Sequence, residues 1–114
     1  MIAFRGESFG CEMEVTMKLI GGKWKALILW HLYQKDVMRF GELSRLHPGL
    51  TEKMLTQQLK ELVSDGLVNR KVYLQVPPKV EYRLTERSQG LIPVFRGMID
   101  WAKAYMKDEA SLKN

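Results

Sequence analysis

The sequence predicts a mainly α-helical chain with one small antiparallel β-hairpin, an α+β fold, on three observations. Apolar residues recur at helical spacing in four segments before residue 66. Between residues 68 and 84 the rhythm changes to alternation around a Pro77-Pro78 tip. From Leu91 to Tyr105 the helical spacing returns. At 114 residues, 46% hydrophobic and 27% charged, the chain has the size and balance of one globular domain. No repeat or linker divides it, so residues 1–114 are read as a single domain.

The elements follow in order. Residues 12–20 place Met13, Met17 and Ile20 on one helical face and Val15 with Leu19 on a second. Gly21-Gly22 ends that helix, and residues 24–33 are apolar almost all round, as suits a central buried helix. Residues 39–46 form a short helix with Phe40, Leu43 and Leu46 inward, and His47-Pro48-Gly49 turns the chain. Thr51 caps a longer helix over about 52–65, in which Leu55, Leu59, Leu62 and Val63 make one buried stripe; Asp65-Gly66 stops it.

Two strands follow. Val68, Val72, Leu74 and Val76 are assigned to the inner face of the first, and Val80, Tyr82 and Leu84 to that of the second. The prolines cannot donate ladder hydrogen bonds and belong at the tip. Thr85 caps the last helix, about 86–108, whose positions Leu91, Phe95, Met98, Ala102 and Tyr105 step by four and three; Pro93 either kinks that helix or marks its start. Two short helices joined by a tight turn, then a basic hairpin, give the layout of a winged helix-turn-helix. There the second helix of the pair enters the major groove of DNA and the hairpin lies along the flanking backbone.

Several function classes fall away. One cysteine excludes a disulfide framework within the chain, and with two histidines it offers no metal-ligand spacing. No glycine-rich phosphate loop, nucleophile elbow or Ser-His-Asp set is present. The chain is therefore read as a non-enzyme without cofactor or metal. The longest apolar run, Ala26–Trp30, is far too short for a membrane span, and no secretion signal is visible, so a cytoplasmic protein is expected.

The charge points to a polyanion. The net charge is +5, and residues 68–87 alone contribute five basic side chains against Glu81 and Glu86. With the leucine stripe buried, the helix over 52–65 presents Lys53, Thr56, Gln57 and Lys60, with Thr51 at its start. Amide, ammonium and hydroxyl groups of this kind read base edges and phosphates. Any amphipathic helix needs a polar face, and this segment is slightly acidic. The neighbouring Lys71, Lys79 and Arg83 of the hairpin, with Arg39 ahead of the pair, tip the reading towards double-stranded DNA. A winged-helix module that docks a protein instead of DNA is the alternative. Cys11 precedes a helix, whose N-terminus favours a thiolate, while Glu12 and Glu14 oppose it; an inert thiol and a sensor both stay open.

Certain residue runs are more specific. Ile20-Gly21-Gly22-Lys23-Trp24, Arg39-Phe40-Gly41-Glu42-Leu43, Leu55-Thr56-x-Gln58-Leu59, Asp65-Gly66-Leu67-Val68-x-Arg70 and Val76-Pro77-Pro78-Lys79-Val80-Glu81-Tyr82-x-Leu84-Thr85 closely resemble the HxlR-type bacterial transcription regulators. The resemblance runs from Cys11 to about Trp101; it departs at Glu12, where proline is usual, and at Ser88, where glycine is common. It implies a homodimeric repressor or activator on a roughly palindromic operator, with the first and last helices making the dimer. The second apolar stripes, Val15 with Leu19 and Ile92 with Ile99 and Met106, fit that role, and Phe95 and Trp101 are assigned to the same interface. It also implies a small-molecule or electrophile effector, with Cys11 as the position at which several relatives sense oxidants.

Overall fold

The computed structural model describes residues 1–113, with side chains through residue 110. Two short strands, β1 (Ile2–Phe4) and β2 (Glu7–Phe9), precede helices α1 (Glu12–Ile20), α2 (Lys25–Lys35), α3 (Phe40–Leu46) and α4 (Glu52–Ser64). Strands β3 (Val68–Tyr73) and β4 (Lys79–Leu84) follow, then a 3-10 turn (Arg87–Leu91) and the long helix α5 (Ile92–Lys113). The first four predicted helices start within one residue of expectation, whereas the last, expected from about residue 86, opens as the 3-10 turn and becomes α-helical only at Ile92.

The caps explain the boundaries. The Thr51 hydroxyl accepts the Met54 N–H at 3.1 Å and so opens α4. At its other end the Leu67 N–H bonds the Leu62 carbonyl and the Gly66 N–H bonds the Val63 carbonyl. The Leu67 bond needs residue 66 in the left-handed region, and Gly66 has φ 74°. The Thr85 hydroxyl donates to the Gly66 carbonyl at 2.7 Å and accepts the Ser88 N–H at 3.3 Å, tying the base of the β3–β4 hairpin to the approach of α5. Buried Ser88, where the family pattern favours glycine, returns its own hydroxyl to the Thr85 carbonyl. Pro93 is the second residue of α5, so it marks the start of the helix and does not kink it.

The core joins α2 (Ile28, Leu29, Leu32), α3 (Leu43), α4 (Leu55, Leu59, Leu62), the hairpin (Val68, Tyr82) and the start of α5 (Ile92, Phe95). The β3–β4 ladder pairs Val68 with Leu84, Arg70 with Tyr82 and Val72 with Val80. Tyr82 also closes a backbone bridge to Met38, which anchors the hairpin on the link between α2 and α3.

Four expectations need correction. Leu74 and Val76 are 99% and 100% exposed, because β3 ends at Tyr73 and the chain leaves the ladder before the Pro77-Pro78 tip. Leu46 is exposed, since α3 stops after one residue more than Arg45 and its end lies at the surface. Ile92 and Phe95, assigned to a dimer face, are buried in this chain's own core. On α1, Val15 and Leu19 are half-buried, and Met13 and Met17 face outward. The β1–β2 hairpin was not anticipated: its two-residue turn, Arg5-Gly6, has both φ angles positive, 50° and 78°, and the signal was the Arg-Gly pair between Ile2-Ala3-Phe4 and Glu7-Ser8-Phe9.

The two histidines form a pair that braces the turn between α3 and α4. His47 is buried, and its Nδ1 lies 2.7 Å from the Leu43 carbonyl, a geometry in which Nδ1–H donates and Nε2 accepts. The His31 Nδ1 stands 2.9 Å from that Nε2. Burial, then the neighbouring His47 and Lys35, holds the pKa of His31 below its ordinary 6.5. The unfolded chain therefore takes up the proton first, so stability is full above about pH 6.5 and drains as pH falls towards the folded value. Urea midpoints are expected to fall between pH 7.5 and 5.5, on the order of one unit either side of that pKa. His31→Asn, which keeps a donor for His47 without a proton to gain, should flatten that slope; an unchanged slope would assign it to other groups.

Candidate nucleic-acid interface

Helix α4 displays its functional face because Leu55, Leu59 and Leu62 are all at most 2% exposed and fix its rotation. Lys53, Thr56, Gln57 and Lys60 are consequently exposed on the opposite side. They are not equally available. The Thr56 hydroxyl donates to the Glu52 carbonyl at 2.8 Å, leaving its oxygen to accept. The Gln57 amide donates to Glu61 at 3.3 Å, and Glu61 in turn holds Lys25 at 2.9 Å. Lys25 and Gln57 together keep the Glu61 carboxyl below its ordinary pKa. Thr51 spends its hydroxyl on the cap. Among the described residues Lys53 and Lys60 are in no ion pair.

The hairpin carries its charges on one face. Register places Asn69, Lys71 and Tyr73 opposite Arg83, Glu81 and Lys79. The ammonium groups of Lys71 and Lys79 both lie 4.8 Å from the centre of the Tyr73 ring. Tyr73 also hydrogen-bonds Glu81, which with Lys79 and Arg83 holds that carboxyl below the usual range. Glu81 is approached by Lys79 at 3.5 Å and by Arg83 at 3.9 Å. Alternation named Lys71, Lys79 and Arg83 but missed Tyr73, the ring that gathers Lys71 and Lys79; its place in the outward set was the available signal. Arg39 stands at the start of α3, its backbone N–H held by Glu42 at 2.9 Å and its side chain exposed.

The chain thus presents a positioned helix and, next to it, a hairpin with clustered cations and the exposed tip residues Leu74 and Val76. Such an arrangement can neutralise phosphates with the hairpin while the helix meets base edges. Cys11 is exposed at the N-cap of α1, and its side chain makes no capping hydrogen bond. Among the described residues no cluster of His, Cys, Asp and Glu could hold a metal, and no helix is long and apolar enough to cross a membrane.

A second surface is apolar. Val94, Met98, Trp101 and Tyr105 step by four, three and four along α5 and are 48–67% exposed, with Met106 beside them. Residues 101–110 are all exposed, so this half of the helix has little of its own chain to pack against. Ile99 is half-buried at its edge, and Met13 and Met17 of α1 are exposed as well. Of the residues expected at a dimer contact, Trp101 and Met106 are free for one.

A family model described as HxlR-like helix-turn-helix matches residues 19–110. The chain is 51% identical over 96 residues to an uncharacterized HTH-type transcriptional regulator, YdeP of Bacillus subtilis, covering 84% of this chain and 74% of that one. Among solved structures, the redox regulator HypR in its reduced form superposes with a TM-score of 0.82 at 44% identity, covering 89% of this chain and 99% of the other. Its oxidized form gives 0.77 at 47% identity, with coverage of 82% and 96%.

Proposed function

The chain belongs to the HxlR-like helix-turn-helix family and is a DNA-binding transcriptional regulator; from that premise we propose that it acts as a homodimer on a roughly palindromic operator. The observation that carries the proposal is the coexistence of the two surfaces: a base-reading helix beside a cationic hairpin, and an unpaired apolar stripe on α5. Lys53, Thr56 and Gln57 face base edges; Lys60, Arg39, Lys71, Lys79 and Arg83 hold phosphates. A two-fold axis through α5 and its copy would set the two recognition helices about 34 Å apart, one turn of duplex.

Selection from a random duplex pool at about 150 mM salt, where non-specific binding is suppressed, tests this directly. Enrichment of an inverted repeat with half-sites one turn apart is expected. A folded dimer that enriches no sequence would favour the protein-docking alternative. Lys79→Ala should weaken all duplexes alike and lower the salt slope by about one. An unchanged slope would remove Lys79 from the contact.

Cys11 is exposed, and this chain resembles a protein described as a redox regulator. A redox or electrophile response through Cys11 therefore belongs to the same proposal. Cys11→Ser should bind the selected operator as tightly as the parent and lose any change on treatment with diamide. A variant that still responds would exclude the thiol.

A further inference from the structure

The Gln57 amide, on the outer face of α4, is tied to the body of the protein by two contacts in series. Its Nε2 donates to Glu61 Oε1 at 3.3 Å, one turn on, and the other oxygen of that carboxylate meets the Lys25 ammonium at 2.9 Å. Lys25 is the first residue of α2, three residues before the fully buried Ile28, and its side chain is only 13% exposed. A cation so far out of water keeps its counter-ion, so Glu61 has a fixed partner on a fixed helix. The other cations along this side of α4 do not compete for it. Arg5 pairs with Asp65 and Lys18 with Glu7, and Lys60 is in no ion pair among the described residues. The Glu61 carboxyl, held below its ordinary pKa by Lys25 and Gln57, is ionised at neutral pH and can only accept.

That constraint decides what the amide has left to offer. A glutamine carries two N–H donors and one carbonyl acceptor. Flipping the amide would set its carbonyl oxygen against the Glu61 carboxylate, so the nitrogen stays on that side and one N–H is spent there. One donor and one acceptor remain. Adenine shows their complement in the major groove, an N7 acceptor beside an N6 donor, whereas guanine shows two acceptors, N7 and O6. A free glutamine can turn both N–H groups to guanine; the tethered one would set its carbonyl against O6.

We infer that Glu61, braced by Lys25, is a positioning residue that makes Gln57 a reader of adenine over guanine. Neither Glu61 nor Lys25 touches the base in this role, which rests on the base-facing position of Gln57 proposed above.

The test uses the full chain on the selected operator, with each base pair of one half-site replaced in turn. Gln57→Ala identifies the pair that Gln57 meets. There the parent is expected to prefer A·T over G·C by roughly tenfold or more, and Glu61→Ala by less than about threefold, with preferences at the other positions kept. Lys25→Met, which leaves no buried charge unpaired, should lose most of the same preference, and Lys25→Arg, which keeps the ion pair, should retain it. Relaxation of every position alike would mean a loosened helix and overturn the role. A preference that survives Glu61→Ala, or a G·C pair at that position in the selected operator, would overturn it as well. If Gln57→Ala changes no position, the base-facing role of Gln57 itself falls, and the adenine reading with it. The tie is read separately without DNA: the Gln57 side-chain N–H resonances should shift on acidification with a midpoint below 4.5, the ordinary value for Glu61, and Glu61→Ala should abolish that shift. Resonances that do not titrate in the parent would overturn the tie.

Discussion

Met98→Asp with Trp101→Asp is expected to make the protein monomeric at micromolar concentration and to cost about 10²–10⁴ in affinity for a two-half-site operator, the range lost when one linked binding event becomes two. The side chains are 56% and 67% exposed, so the monomer loses little by the change. In the proposed dimer the same substitutions would bury two new carboxylates per protomer without partners. Trp101 stacks on Tyr105 at 5.2 Å, four residues on, so the pair offers one continuous aromatic surface to a second copy. Sedimentation and operator binding read the two effects separately. A double variant that stays dimeric would move the interface off this stripe; a monomer that still binds the full operator undiminished would show that the DNA contact needs no second copy.

Leu55→Ala is expected to cost about 2–5 kcal/mol of stability, the range for truncating a fully buried leucine. Leu55 is 0% exposed and lies in the first turn and a half of α4, between the Thr51 cap and Leu59. The cavity would open beneath the part of the helix that carries Lys53, Thr56 and Gln57. A single stability near the threshold would not survive that cost, since whole domains are held by about 5–15 kcal/mol. Denaturant unfolding measures it, and a loss under about 1 kcal/mol would mean that the surrounding leucines close the gap. Gln57→Ala at the same helix but on its exposed side should leave stability nearly unchanged and relax preference at one base pair by about 1–3 kcal/mol.

These two predictions mark where local reading succeeds and where it stops. The rotation of α4 was legible because its stripe of Leu55, Leu59 and Leu62 faces a helix surface otherwise made of polar residues, so only one orientation hides the leucines. Thr51, Gly66 and Thr85 announced their caps for a similar reason: each satisfies backbone groups within a few residues in sequence. Helix α5 offered no such choice. Periodicity groups Phe95 with Met98 and Tyr105, and Ile92 with Ile99 and Met106, whereas the packed helix buries Ile92 and Phe95 together and leaves Val94, Met98, Trp101 and Tyr105 exposed. The T-shaped contact of Trp30 with Phe95, centroids 6.5 Å apart, and the bond from Arg96 to the Tyr33 hydroxyl at 2.7 Å decide it.

The hairpin divides the same way. Alternation determined that Tyr82 is inward and Lys71 and Arg83 outward, because a pleat sends successive side chains to opposite faces. It extended the strand too far, to Leu74 and Val76, since an apolar residue in an exposed tip keeps the alternation without joining the ladder. The local sequence thus determined helix, turn and strand type, the caps, the leucine face of α4 and the charged face of the hairpin, all of which are set by neighbours within a few residues. Tertiary structure alone decided which stripe of α5 is buried, the pairing of His31 with His47, the gathering of Lys71 and Lys79 on Tyr73, and the tie from Lys25 through Glu61 to Gln57. Each depends on how whole elements pack, through contacts between faces that the sequence presents but does not by itself assign to one another.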